Sequence, residues 1–270
     1  MAGERILIVR APGTNCDREA AFAWETVGCR PERVHIAALA ERPAMLHEYA
    51  LLTLPGGFSY GDDVAAGRIM AAHLERALAD ELPRFIAAGK LVFGICNGFQ
   101  VLAKMGLLPF HAAAPAPAGA VAEGRQSCTV TFNEPAGFQD RWITLSAGAN
   151  TPCLFVEPGR SYEMPIAHGE GRVLFASEAL RRAVADQRLA ALRYVDGAAD
   201  MRAEGPANPN GSTDAIAGLC DATGRVFGLM PHPERHLAAT QHPCWTSRGR
   251  RADAPGDGLA IFQRAAAALR

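Results

Sequence analysis

Lysine is nearly missing from this chain. Of its 27 basic residues only Lys90 and Lys104 are lysines, and the rest are arginines. With alanine so abundant, that bias reads as the mark of a GC-rich genome and not as a binding surface. The basic residues form no cluster and the net charge is −1, so the electrostatic footprint expected of a nucleic-acid partner is lacking. No apolar stretch reaches the roughly 18 residues that a membrane helix needs. Met1-Ala2-Gly3-Glu4-Arg5 passes directly into a short strand without the apolar region of a secretory signal. There is no C-x-x-C pair. The seven cysteines (Cys16, Cys29, Cys96, Cys128, Cys153, Cys220 and Cys244) are irregularly spaced. An odd count without a framework predicts mostly buried, reduced thiols in a cytoplasmic protein. His232, His236, His242 and Cys244 lie close in sequence but lack the tight paired spacing of a zinc site, so no metal is expected. Neither an internal repeat nor a dividing linker is visible. With 49% hydrophobic and 20% charged residues, the chain is predicted to fold as one globular domain over 1–270.

What is present is concentrated in a few short segments. Leu91-Val92-Phe93 is a strand-like run, Gly94-Ile95-Cys96-Asn97-Gly98 a glycine-flanked turn, and Phe99-Gln100-Val101-Leu102 a helix start. That order predicts a nucleophile elbow with Cys96 at its tip. A helix N-terminus beneath the turn favours a thiolate there. In isolation, G-x-C-x-G describes a buried cysteine at a strand end equally well.

A thiolate nucleophile needs a base held by a carboxylate. After the strand-like Arg225–Met230 comes Pro231-His232-Pro233-Glu234-Arg235. The prolines predict a stiff, extended segment, in which positions i and i+2 share a face and Glu234 can orient His232. Upstream, Leu51–Leu54 runs into Pro55-Gly56-Gly57. Such a turn can present a backbone N–H to a developing oxyanion, and Asn97 can present a second. The three features together describe amide hydrolysis through a thioester.

Gly94–Gln100 with Pro231–Arg235 resembles the class I (triad) glutamine amidotransferases. Pro12-Gly13-Thr14-Asn15-Cys16-Asp17, Pro55–Asp62, Pro165-Ile166-Ala167-His168-Gly169-Glu170-Gly171 and Asn208-Pro209-Asn210-Gly211-Ser212 narrow the resemblance to the glutaminase subunits of phosphoribosylformylglycinamidine synthase. It runs from about residue 5 to about 265. It implies a flavodoxin-like α/β fold, a mostly parallel sheet flanked by helices. It makes Cys96 the nucleophile, His232 the base and then acid, and Glu234 the group that holds His232. Gly57 and Asn97 become the oxyanion donors, with Gly56 as the alternative to Gly57, and Gln100 helps to seat glutamine. It also implies a synthetase partner, PurL, that uses ATP and Mg, and a small subunit, PurS, with no cofactor in this chain. His168 and Glu170 line the active-site mouth or a channel, or form only a turn. Three other readings stay open: a stand-alone cysteine hydrolase of the γ-glutamyl hydrolase type, a regulatory subunit that has lost its chemistry, and another triad amidotransferase.

The apolar pattern alone alternates strands with amphipathic helices, which predicts a parallel sheet with crossover helices. Strands are predicted at Arg5–Arg10, Arg33–Ile36, Tyr49–Leu54, Cys128–Phe132, Arg141–Leu145, Val173–Phe175, Leu189–Val195, Ala215–Cys220 and Arg225–Met230. One helix is predicted from an Asn15 cap to Gly28, a long one through Ile69, Met70, Leu74, Leu78 and Leu82, and a closing one over Asp257–Leu269. The Ala/Pro-rich stretch 111–124 reads as a flexible surface loop.

Overall fold

Short, wholly buried strands form the middle of the molecule, because they are covered on both faces. The computed structural model describes residues 3–112, 114–118, 126–196 and 207–270. The strands are β1 (Arg5–Arg10), β2 (Arg30–His35), β3 (Leu51–Leu54), β4 (Leu91–Ile95), β5 (Cys128–Thr131), β6 (Gln139–Ala147), β7 (Ser161–His168), β8 (Arg172–Phe175), β9 (Ala190–Val195), β10 (Ile216–Cys220) and β11 (Val226–Leu229). The α-helices are α1 (Asp17–Thr26), α2 (Ile36–Glu41), α3 (Arg68–Ala77), α4 (Glu81–Ala87), α5 (Asn97–Lys104), α6 (Glu178–Asp186) and α7 (Asp257–Ala268).

Nine strands form one sheet in the order β2-β1-β3-β4-β11-β10-β9-β6-β7, and β5 pairs with β8 in a small separate ribbon. The half from β2 to β11 is parallel. From β11 onward every pairing is antiparallel. Every residue of β3, β4 and β11 is buried, whereas the edge strand β2 buries only Val34. That contrast is what two-sided helix cover of a parallel centre requires. Trp24 of α1 packs edge-on against Phe93 and Phe262, and its indole N–H donates to Thr53 Oγ1 at 3.0 Å. The polar edge of a buried tryptophan is thereby satisfied.

The fold is the expected helix-flanked α/β sheet, and several boundaries differ. The helix expected from Asn15 starts one residue later, with Cys16 at the cap position making no side-chain cap bond. The Asn15 side-chain oxygen instead accepts from the Cys16 thiol at 3.1 Å. The predicted long helix is two, α3 and α4, because the chain leaves helical geometry after Ala77 and restarts with Pro83 in the first turn, where proline costs no hydrogen bond. The register of Leu74, Leu78 and Leu82 hides the break, since all three are buried. β7, α2 and α6 lie outside the predicted elements, and Ile36, expected to end the second strand, opens α2. β7 contains Pro165 and lies at the sheet edge, the place where a strand tolerates proline. The 111–124 stretch lies partly outside the described residues. At its start His111 exchanges backbone hydrogen bonds with Ala114 and meets Asp221 at 3.2 Å.

Candidate active site

The site sits at the carboxyl ends of three neighbouring parallel strands, β3, β4 and β11, where open α/β sheets bind ligands. Cys96 lies between β4 and α5 with φ 50° and ψ −104°. For a residue with a Cβ this left-handed turn stores on the order of 1–3 kcal/mol. The flanking glycines serve close packing. Neither carries the turn; each admits a backbone neighbour. A Cβ on Gly98 would stand 1.9 Å from the Leu54 oxygen, and one on Gly94 would stand 2.7 Å from the Gly98 backbone. The strain therefore falls on the cysteine, and the glycines let α5 press against β3 and β4.

His232 and Glu234 follow β11, and Glu234 Oε1 meets His232 Nδ1 at 2.6 Å. The link forms across a 3-10 turn over Pro233–Arg235 and not along the extended segment that the prolines suggested. Both side chains are buried, and His232 Nε2 has no hydrogen-bond partner among the described residues. Burial by itself depresses the imidazole, but the Glu234 carboxylate and the Cys96 sulfur outweigh it, so His232 stands well above its ordinary range. A cationic imidazolium held by Glu234 next to Cys96 is the charge arrangement that supports a thiolate nucleophile. Gly56 makes the approach possible: a Cβ there would lie 2.9 Å from His232 Cε1 and 3.5 Å from Cys96 Cβ.

A cavity of about 300 Å³ opens in front of Cys96, bounded among others by Gly57, Asp62, Gln100, His168 and Glu170. Gly57, not Gly56, reaches this cavity, while the Gly56 oxygen is engaged by the Cys16 N–H. Asn97 opens α5, where a backbone N–H has no partner in its own helix, so both expected oxyanion donors flank Cys96. The Asn97 side chain has a task that the sequence did not reveal. Its oxygen accepts from the Ser59 N–H at 3.3 Å, and its amide donates to Asp62 Oδ1 and Gln100 Oε1. Gln100 in turn donates to the Glu170 carbonyl at 2.5 Å. His168 and Glu170, whose role was open, thus belong to the cavity wall. Burial and the nearby His232 lower His168 to about 3, which leaves it neutral. Among the described residues, the metal-ligating side chains that come within reach of one another as a trio are Cys16, His232 and Glu234. His236, His242 and Cys244 do not join them. All seven cysteines are free and six are buried.

Residues 3–267 match the model of the CobB/CobQ-like glutamine amidotransferase domain. The chain is 40% identical to the phosphoribosylformylglycinamidine synthase subunit PurQ of Dehalococcoides mccartyi, over 98% of this chain and 97% of that one. It is 38% identical to the PurQ of Archaeoglobus fulgidus, over 96% and 94%. The chain belongs to the PurQ family of glutamine amidotransferases. Members are enzymes, and this chain is one. The structure of PurLQS from Thermotoga maritima is similar to it at a TM-score of 0.70 and 31% identity, covering 99% of this chain and 100% of that one. A putative GMP synthase subunit from Thermoplasma acidophilum shares the fold, at a TM-score of 0.58 and 12% identity.

The motifs that mark this amidotransferase family are the fastenings of the site. From the N-terminal motif, Pro12 and Gly13 carbonyls accept from the Tyr60 and Phe58 N–H groups, and Thr14 bridges Gly57. They pin the Gly-Gly turn against β1. Asn210 and Ser212, both buried, donate to the Gly171 carbonyl, and Asn133 accepts from the Gly171 N–H while donating to the His168 carbonyl. They fix the His-Gly-Glu-Gly segment. Gly57 itself has φ 140°, and a Cβ there would lie 2.7 Å from the Gly13 oxygen and 2.8 Å from the Asn15 nitrogen. Gly57→Val is therefore expected to push the turn off the N-terminal motif. Glutamine turnover should fall at least about tenfold and stability by roughly 1–3 kcal/mol. A thermal melt and a glutamate-release assay check both, and unchanged turnover would place the oxyanion donor elsewhere.

Proposed function

We propose that this chain is the glutaminase subunit of phosphoribosylformylglycinamidine synthase. It hydrolyses glutamine to glutamate and ammonia and hands the ammonia to a synthetase subunit of the PurL type. That partner uses ATP and Mg to convert formylglycinamide ribonucleotide to formylglycinamidine ribonucleotide, with a small PurS-type subunit in the assembly. The observation that carries the reading is the 2.6 Å His232–Glu234 contact beside the strained Cys96 elbow. The Cys96 sulfur attacks the carboxamide carbon, and the Gly57 and Asn97 amides hold the oxyanion. His232 gives a proton to the departing nitrogen, ammonia leaves, and a γ-glutamyl thioester remains. Water, deprotonated by His232, then releases glutamate and restores the thiol. No step in this chain calls for a metal or a cofactor.

Dependence on a partner follows from the product. Ammonia set free in water at neutral pH becomes ammonium, which is no nucleophile. Phe58, Phe132 and Phe138 border the cavity and are exposed, so a synthetase surface laid over this rim would exclude water. No helix of the described residues is long and apolar enough to cross a membrane, and the reading places the chain in the cytoplasm. The test is reconstitution with PurL- and PurS-type subunits and measurement of glutamine-dependent formylglycinamidine ribonucleotide formation. Glutamate release by the chain alone is expected to be poor and to rise steeply when nucleotide-loaded synthetase is added. Full activity in isolation, unchanged by the partner, would favour the stand-alone hydrolase.

A further inference from the structure

Cys16 stands beside the His232–Glu234 turn and has no part in the thioester chemistry. It takes the cap position of α1 without a side-chain cap bond. It is 1% exposed and does not border the cavity in front of Cys96. Its thiol donates to Asn15 Oδ1 at 3.1 Å, and the Arg235 guanidinium donates to its sulfur at 3.2 Å. Gly56 lets it come near the base: a Cβ there would lie 3.2 Å from the Cys16 sulfur and 2.9 Å from His232 Cε1. The Cys16 sulfur, a ring nitrogen of His232 and a carboxylate oxygen of Glu234 lie within 4.8 Å of one another.

Thiolate, imidazole and carboxylate are the ligand types that zinc takes. Bonds of about 2.0–2.3 Å in a tetrahedral site set the ligand atoms roughly 3.3–3.8 Å apart, so the trio has to close by on the order of 1 Å. A second observation points to a ligand here. Glu234 is 2% exposed, and its Oε2 is buried without a hydrogen-bond partner among the described residues. A buried acceptor left so costs desolvation energy. The hydrolytic reaction gives His232 Nε2 a partner but none to Oε2. Charge is conserved as well. The Cys16 thiol and the protonated His232–Glu234 pair each release one proton when a dication enters. Arg235 therefore faces the same net charge, and the thiolate sulfur keeps lone pairs for its N–H.

We propose that Cys16, His232 and Glu234 form a reversible inhibitory site for zinc(II). The ion takes the place of the proton between His232 Nδ1 and Glu234. Zinc bonds form to Cys16 Sγ, His232 Nδ1 and Glu234 Oε2, and water fills the fourth position. The one remaining ring proton is then on Nε2, so the imidazole has no lone pair with which to take a proton from Cys96 or from water. Cys96 itself stays unliganded, which separates this site from simple capture of a metal by the elbow thiol. The loss of activity rests on the glutaminase reading above, whereas the site itself does not.

Two measurements test it. In the first, cobalt(II) replaces zinc on the full chain as a spectroscopic probe. The thiolate-to-cobalt charge-transfer band in the near ultraviolet should form in wild type and in Cys96→Ala, and should be lost in Cys16→Ser. No band in wild type, or a band that survives Cys16→Ser, overturns the site. A band lost in Cys96→Ala places the ion on the elbow and overturns it too. In the second, zinc is added to the assembled synthase and glutamate release is followed. Zinc should inhibit and a chelator should restore turnover. Cys16→Ser keeps a donor for Asn15 and an acceptor for Arg235, so its turnover without zinc should stay close to wild type. It should need at least roughly 100-fold more zinc for the same inhibition. Equal sensitivity of wild type and Cys16→Ser sinks the proposal. Absence of glutamate release from zinc-free wild type would overturn the glutaminase reading instead, and the cobalt band would still decide the site.

Discussion

Replacing Cys96 by alanine is expected to abolish glutamine-dependent synthesis in the reconstituted complex, while synthesis from added ammonium continues. The asymmetry follows from where the change falls. In the proposed reaction Cys96 supplies the nucleophilic sulfur at the β4–α5 elbow. Removing it leaves only hydrolysis by unactivated water, so the loss should exceed roughly 10⁴-fold. The ammonium reaction belongs to the synthetase site, which this substitution does not touch. Loss of both reactions would mean that the chemistry lies elsewhere. An electrophilic glutamine analogue adds a second readout, since it should label Cys96 ahead of the other six cysteines. Burial pushes Cys128 up to about 12 and Cys153 well above the ordinary thiol range, which keeps both protonated and inert. Cys16 is the informative competitor. It lies beside the catalytic pair, and the Arg235 guanidinium donates to its sulfur at 3.2 Å. Yet it is 1% exposed and does not border the cavity. Labelling there would contradict the elbow assignment.

The juxtaposition of Cys96, His232 and Glu234 is legible in the sequence because each part of its geometry is local. A strand, a crowded glycine turn and a helix start put Cys96 in one place whatever the rest of the chain does. His232 and Glu234 are two residues apart, so a single short turn joins them. Even there the reason differed: the contact crosses a 3-10 turn, in which Pro233 provides the first position. What brings the two parts together is long-range. β11 pairs in parallel with β4, Leu229 opposite Ile95, and no local pattern announces that register.

The walls of the site were less legible for the same reason. The side-chain bonds of Asn97, Asn133 and Asn210 carry no local signal, since asparagine bonds backbone in turns, caps and distant contacts alike. Their partners lie up to 39 residues away. Pro165 concealed β7 by its usual effect on strands, and so His168 and Glu170 seemed to belong to a loop between elements. They stand at and just beyond the end of an edge strand whose Pro165 carbonyl accepts from the His232 N–H. That bond couples the cavity wall to the turn that carries His232. The antiparallel half of the sheet was visible as short strands but not as an ordering, because alternation of apolar residues does not specify a neighbour.

The last expected result separates the two members of the His232–Glu234 pair. His232→Ala removes the group that moves the proton at every step, and glutamine turnover should fall by on the order of 10⁵-fold. Glu234→Gln keeps shape and a hydrogen-bonding oxygen but removes the charge, and should cost less, roughly 10²- to 10⁴-fold. The carboxylate is what lifts His232 against the depressing effect of burial. Without it the imidazole must lose its proton at lower pH than in the wild-type chain. In Glu234→Gln the alkaline limb of the rate profile should therefore move to lower pH, a change that mere loosening of the turn would not produce. Glu170 offers no substitute, since its carboxylate faces the Ala66 N–H across the cavity wall and not the imidazole. Wild-type turnover in Glu234→Gln, with an unmoved pH profile, would show that the 2.6 Å contact holds the turn together without tuning the base.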